Sequence, residues 1–320
     1  MRSAGRIARA FGVALALLSA AAMPARGAPF AYVPNEGSGT ISIIDTATDK
    51  VVGEIKAGTK PRGLAATPDA ARLYVSDQPG SRLIVIDLAA RRESGSVPLG
   101  ASPEGVYVSA DGKLLAVASE EANNVSFVDT ATNQVAFAVK VSGKNPEHAV
   151  FSPDGRIVYA SAEDDDTVEV IDVAKRTQIA RIKIGDRPRG IGFLPDGSRA
   201  YVAAENADKV VAIDTATHKP VAVIAAGKRA NGIAVHPSGK KVYVSNGGDG
   251  SVSAIDTATN AIIATIPVGR RPWNMAITPD GRKLYVANGR SNSVSVIDTE
   301  KDTKLTDIPV GELPWGVTIR

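Results

Sequence analysis

Seven residues of this chain carry unlike chemistry at one shared address. Arg62, Glu104, Glu147, Arg189, Asn231, Trp273 and Trp315 each stand four places after a glycine in a Gly-x-x-Pro-x-Gly frame. The residue that follows is usually glycine, but it is His148 and Asn274 in two copies. The set offers guanidinium groups for an anionic ligand, carboxylates and an imidazole for proton transfer, and two indoles for stacking on a planar ligand, a sugar or a base. His148 beside Glu147 is the best candidate for acid–base chemistry or metal ligation, because imidazole titrates near neutrality unaided. Yet His218 and His236 fall in other turns, so no second histidine joins it. A ligand-contact or structural role is the expectation for His148, with no catalytic residue assigned. The run Asp164-Asp165-Asp166 lacks the spacing of a calcium loop and reads as a solvated turn. No metal and no cofactor is expected.

The address exists because the chain repeats. An aliphatic or aromatic residue followed by Asp recurs at Asp45, Asp87, Asp129, Asp172, Asp214, Asp256 and Asp298, a period of 42 residues with a single 43. Thirteen residues before each Asp stands a tyrosine, except for Ala116 in the third copy. Each copy reads as four short strands, A to D, joined by Pro-Asp-Gly turns between A and B and by Asp-Thr-Ala-Thr turns between C and D. Seven such units without helices predict an all-β fold, a seven-bladed β-propeller with four antiparallel strands per blade. Strand A is rich in Gly and Ala, as suits blades converging on an axis.

Residues that vary between copies, rather than those that recur, are where function is sought. The D–A and B–C loops share one face of a propeller, so the nine residues above are expected around its channel mouth. Lys60, Arg187, Lys228, Arg229, Arg270 and Arg271 add positive charge to the D–A loops. Glu36, Glu120, Glu121, Glu163 and Glu205 make the B–C loops acidic, so the two sets are expected to neutralise each other.

The ends of the chain fit the same scheme. The repeat begins in a strand B at Phe30 and stops in a strand A at Ile319, so the C-terminal strand is expected to complete the N-terminal blade and close the ring. Tyr107, the one tyrosine outside strand B, is expected to pair with Ala116 and fill the gap there.

Arg2, Arg6 and Arg9 precede an apolar run from Ala10 to Ala22 and small residues up to Ala28, which reads as a secretory signal over residues 1–27. The propeller then spans 28–320. Removing the signal takes four arginines and no acid, lowering the formal charge from +3 to −1, so the basic balance is poor evidence for a nucleic-acid partner. The chain has no cysteine, which excludes disulfides, Cys-x-x-Cys-His haem attachment, a lipid-modified Cys and thiol catalysis. A periplasmic or secreted monomer without a membrane span is the expectation.

The phrases Tyr243-Val244-Ser245-Asn246 and Tyr285-Val286-Ala287-Asn288, with Val294-Ser295-Val296-Ile297-Asp298-Thr299 and the Pro-Asp-Gly turns, resemble the YVTN-family β-propeller repeat over the whole mature chain. Length, signal and a single bare propeller are most similar to the β-propeller proteins associated with catabolism by pyrroloquinoline-quinone (PQQ) dehydrogenases. That resemblance implies a periplasmic, non-catalytic binding or accessory protein that takes a small ligand or partners a PQQ-dependent dehydrogenase in alcohol oxidation. Two alternatives stay open: a single-stranded DNA binder, as one branch of the family implies, and a lactonase- or lyase-like enzyme using Glu147, His148 and Arg189.

Overall fold

The computed structural model describes Met1 and residues 29–320; the expected export signal otherwise lies outside the described residues. The strands form seven four-stranded antiparallel sheets arranged as the blades of a propeller. Blades 2 to 7 are continuous: residues 61–98, 103–140, 146–183, 188–225, 230–267 and 272–309. Blade 1 takes strands B to D from Phe30–Asn35, Thr40–Asp45 and Lys50–Lys56, and its inner strand from Thr318–Ile319 at the C-terminus. Tyr32 pairs with Thr318 and Ala31 with Ile319, so the ring closes as the sequence predicts.

Strands B and C are buried on both faces, which is why they read as nearly continuous apolar runs rather than as alternating ones. The core is a series of inter-blade layers. One packs Tyr201 and Val210 of blade 5 against Val242 and Val244 of blade 6. Each fully buried aliphatic side chain contributes about 1.5–3 kcal/mol, so stability is distributed around the ring.

The recurring tyrosines also latch blade to blade. Their hydroxyls reach the C–D turn of the next blade: Tyr74 donates to Asn133 (2.6 Å), Tyr201 to Asn260 (2.9 Å), Tyr243 to Asp302 (2.7 Å), and Tyr285 to Asp49. Tyr159 meets Nδ1 of His218 at 2.7 Å. All five partners have positive φ, between 53° and 56°. The left-handed turn is tolerated best by Asn and Asp, and it presents the partner side chain to the latch.

Blade 3 departs from this pattern. Tyr107 does pair with Ala116, but its ring does not fill the gap there. The space is taken by Phe127, the cross-strand partner of Ala116, which stacks on Phe137 at 4.4 Å and packs with Phe151 and Val158. Arg176, in the place of a latch acceptor, lies over the Phe137 ring at 4.8 Å. With Phe127, Phe137 and Phe151 already in the layer, Tyr107 is free to send its hydroxyl to His148.

Candidate functional site

Every inner strand of blades 2 to 7 carries the same irregularity. Pairing jumps from Pro61↔Asp77 to Leu64↔Val75 in blade 2, and at the corresponding places in blades 3 to 7. Two residues of strand A thereby oppose one of strand B. Such a β-bulge re-aims side chains, and the two residues on its bulged side are the varied one and its follower. Successive inner strands approach so closely that a Cβ on Gly190 would lie 2.6 Å from the Asn231 carbonyl, and one on Gly232 equally near that of Trp273. Glycine follows the varied residue for that reason, and His148 and Asn274 stand out against it.

The varied residues meet the B–C loops, as expected of a shared face. Arg62 bridges Glu36 (3.1 Å) and Glu104 (2.6 Å). Arg189 reaches Glu147 (2.9 Å), Glu163, and Glu205 (3.7 Å). The pairing is uneven around the ring. Glu205 alone is surrounded by four guanidiniums, with Arg187, Arg229 and Arg271 at 3.3, 2.9 and 2.7 Å besides Arg189. Against its burial these arginines hold the Glu205 carboxyl below the usual range. Arg271 is lowered in turn, by burial and by Arg229 and Arg189, with Glu205 opposing.

Across blades 3 and 4 the balance reverses. Carboxylate oxygens of Glu120, Glu147 and Glu163 all lie within 4.8 Å of one another. Glu104 is tied to Glu120 through Gln78, whose Nε2 bonds Glu104 and lies 3.5 Å from Glu120. Among the described residues Glu120 has no Lys or Arg within 4.0 Å; its Oε2 accepts from Ser102 (2.9 Å). Burial, then the charge of Glu147, pushes Glu104 up to about 9. Glu147 and Glu163 are pushed up to about 7, both chiefly by burial.

His148 and Trp315 come from opposite sides of the ring and stack across the hub, with ring centroids 5.7 Å apart and planes at 25°. Nδ1 of His148 meets the Tyr107 hydroxyl at 2.6 Å. Burial, and secondarily Arg189, pushes His148 down to about 3, so the imidazole is neutral at physiological pH and a weak base. Trp273, half-buried, lies instead over Gly289 with the Arg271 guanidinium 6.0 Å from its ring. The two indoles share the mouth without stacking on each other.

Several buried polar atoms here find no hydrogen-bond partner: Oε2 of Glu104, Nε2 of His148, both amide atoms of Asn231, and Nε1 of Trp273. Oε1 of Glu147 also lacks one, since its approach to Arg189 is an ion pair without hydrogen-bond geometry. Asn274, half-buried, extends the same wall beside Gly232. Most of the buried side-chain atoms without a partner among the described residues belong to this face, with Asn35 Oδ1 and Ser119 Oγ at the ends of strands B as others.

Sequence reasoning named the acids and bases of this face but missed Gln78 and the hub role of Tyr107. The alternation of Arg and Glu at one frame position, 42 residues apart, was the signal for the pairs. The other histidines are structural: His218 receives the Tyr159 latch, and Nε2 of His236 meets the Gly281 carbonyl at 3.0 Å on the opposite face. In the triple-Asp run, Asp165 pairs with Arg181 and Asp166 with Lys183. Two grooves, of about 430 and 340 Å³, open between A–B and C–D turns of blades 4 and 5 and of blades 2 and 3. They are spaces between repeated turns, and none of the varied residues lines them.

Fold and site together define a seven-bladed β-propeller whose unlike residues gather at one mouth of its hub. The chain belongs to the YNCE-like beta-propeller family, whose model matches residues 3–319. No curated protein sequence matches it. Among solved structures it is similar to hydrazine synthase of Kuenenia stuttgartiensis, at 24% identity and a TM-score of 0.78 over 89% of this chain and 99% of that one. It is also similar to a functionally unknown protein from Desulfotomaculum acetoxidans (17%, TM-score 0.80, 91% and 98%). A third is a putative 6-phosphogluconolactonase from Bacteroides uniformis (20%, TM-score 0.77, 92% and 100%). At these identities the likeness is one of fold.

Proposed function

We propose that this protein is an exported, periplasmic, non-catalytic binding or accessory propeller that takes a small polar ligand at the hub mouth and serves PQQ-dependent alcohol oxidation. The observation that carries the binding role is the set of partnerless buried atoms on Glu104, His148, Asn231 and Trp273. They include both donors and acceptors, and leaving such groups unmet costs about 1–3 kcal/mol each. A ligand that gives and accepts hydrogen bonds would recover that cost. The link to PQQ dehydrogenases rests on the sequence resemblance alone.

The chemistry of His148 favours binding over catalysis. A lactonase- or lyase-like enzyme needs a base poised near neutrality, whereas this imidazole is held far below it and is stacked against Trp315. Nucleic acid is disfavoured because Glu104, Glu120, Glu147 and Glu163 interrupt any cationic track for phosphates.

Native mass spectrometry of the protein taken from its own periplasm tests the reading. The expected result is a mass increment that disappears in Asn231→Ala and Trp273→Ala. A bare wild-type mass, or an increment kept by both variants, would overturn it. Unchanged growth on alcohols after gene deletion would remove the PQQ role while leaving the binding role intact.

A further inference from the structure

We propose that the groove between blades 4 and 5, on the face of the A–B and C–D turns, takes an arginine or lysine side chain of a partner protein onto the backbone carbonyl of Thr215. The site lies apart from the hub mouth and does not depend on it. Where strand B of one blade meets the C–D turn of the next, the first residue of the strand covers the residue that follows the recurring Asp. At four junctions the cover is a cation on a threonine carbonyl: Arg72 on Thr130, Arg199 on Thr257, Lys241 on Thr299 and Lys283 on Thr46, at 2.5 to 2.9 Å. At two it is apolar on apolar, Phe30 with Leu88 and Leu114 with Val173, each pair in one core layer. The remaining junction mixes the two schemes and sets Ile157 against Thr215.

An aliphatic side chain cannot donate, and among the described residues no side chain reaches the Thr215 carbonyl. The turn itself is unchanged: the Thr215 hydroxyl donates to the Gly197 carbonyl, as Thr130 and Thr257 do to Gly112 and Gly239. Only the cover is missing. Thr46, Thr130, Thr257 and Thr299 are buried, whereas Thr215 is half-buried. The space left is the groove of about 430 Å³, within the roughly 300–1,000 Å³ of sites that take ligands. The smaller groove between blades 2 and 3 holds Arg72 in the corresponding place. Ile157 and Phe193 beside Tyr159 line the open groove with apolar surface, and Asp154 and Asp196 give it negative charge. The nearby cations do not fill it: Arg156 lies exposed on Asp154, and Arg199 is engaged at the next junction. Burial pushes His218 down, so the groove wall adds no positive charge at neutral pH. A basic side chain from outside would restore the cover, its stem on the apolar wall and its head on the Thr215 carbonyl, with the two carboxylates favouring a cation over a neutral donor. The four resident covers are all side chains held on a strand, which is the form of occupant the junction is shaped for.

NMR titration of the isotope-labelled protein tests the groove, read at the Ala216 amide, which follows the Thr215 carbonyl. The capped tripeptides Ala-Arg-Ala and Ala-Lys-Ala are expected to give saturable shifts there, and Ala-Leu-Ala to bind about tenfold or more weaker. Ile157→Lys should supply the missing cover from the chain itself, raising the melting temperature by about 2 °C and abolishing both titrations. Asp196→Asn, at an exposed position, should weaken the basic peptides while leaving the fold in place. No saturable shift up to about 10 mM peptide, equal binding of the leucine peptide, or a titration that persists in Ile157→Lys would overturn the proposal. So would n-butylamine binding as tightly as the lysine peptide, since the occupant would then be a free amine rather than the side chain of a partner.

Discussion

The two faces of the disc are built on opposite principles. On the face of the C–D turns, five tyrosines repeat one latch to a left-handed turn residue of the next blade. On the face of the hub mouth the same address holds Arg, Glu, Asn or Trp from blade to blade. One side crowds four arginines on Glu205, the other gathers Glu104, Glu120, Glu147 and Glu163 around a deficit of positive charge, and Trp315 crosses the hub to His148. Repetition stabilises because each latch reinforces the same geometry, whereas variation at the mouth leaves buried groups in conflict. Stability is therefore lodged in the repeated face, and the proposed binding role in the varied one.

Ring closure is the point at which both faces depend on a single segment, and its removal should have the largest effect. Deleting residues 314–320 strips the inner strand from blade 1, exposes the edge of Phe30–Asn35, and removes Trp315 from His148. The expected outcome is loss of a cooperative melt or of solubility, read by calorimetry. A truncated protein that melts like wild type would show that the latches hold the ring without the closing strand.

Within the mouth, one chemical change should have unlike consequences on the two sides. Glu205→Gln leaves four guanidiniums facing a neutral amide and should cost about 3–5 kcal/mol in urea unfolding. Glu104→Gln at pH 7 replaces a carboxyl pushed up to about 9, already protonated, and should change stability by less than about 1 kcal/mol. Equal costs would erase the distinction between the two sides. On the latch face, Tyr243→Phe removes one hydrogen bond to a carboxylate and should cost about 1.5–3 kcal/mol. Combined with Tyr74→Phe, three blades away around the ring, the effects should add.

The acidic side also fixes a pH dependence of stability. Glu147 and Glu163 rise to about 7 and Glu104 to about 9, all above the ordinary 4.5. Below about 4.5 these groups are protonated folded or unfolded and cost nothing. As pH climbs from there toward 9 the unfolded chain releases protons that the folded one retains, so stability falls. Urea midpoints should decline over that window, and Glu104→Gln should flatten the upper part of the decline. A midpoint rising between pH 5 and 9 would contradict the assigned shifts.

How much of this was legible in the sequence follows from the same contrast. A period of 42 residues ordered the blades, and the half-blades at Phe30 and Ile319 announced the closure, because a ring of equal units leaves few alternatives. The frame also placed Arg62, Glu104, Glu147, Arg189, Asn231, Trp273 and Trp315 at one mouth, since a bulge at a fixed position re-aims the same residue in each blade. What it could not give was reach across the hub. His148 and Trp315 belong to opposite blades, and a repeat frame ranks residues around the circle without saying which side chain spans it. Tyr107 was misplaced for a simpler cause: Phe127, already opposite Ala116, had taken the room.

The smallest structural change should be the most informative about function. Trp273 lies half-buried over Gly289, outside the apolar layers between the blades, and its Nε1 makes no hydrogen bond. Truncation to alanine therefore loses contact with Gly289 and Arg271 but opens no core cavity, and should cost about 1 kcal/mol or less. Trp315→Ala differs: it removes a buried ring from the hub and exposes His148, and should cost about 3–5 kcal/mol. If the mouth binds through its varied residues, Trp273→Ala keeps the fold and loses the ligand, each lost stacking contact being worth roughly 1–3 kcal/mol. The melt and the native mass of this one variant, measured side by side, separate a face that binds from a face that merely closes the channel. A variant that keeps both would assign Trp273 to the rim alone.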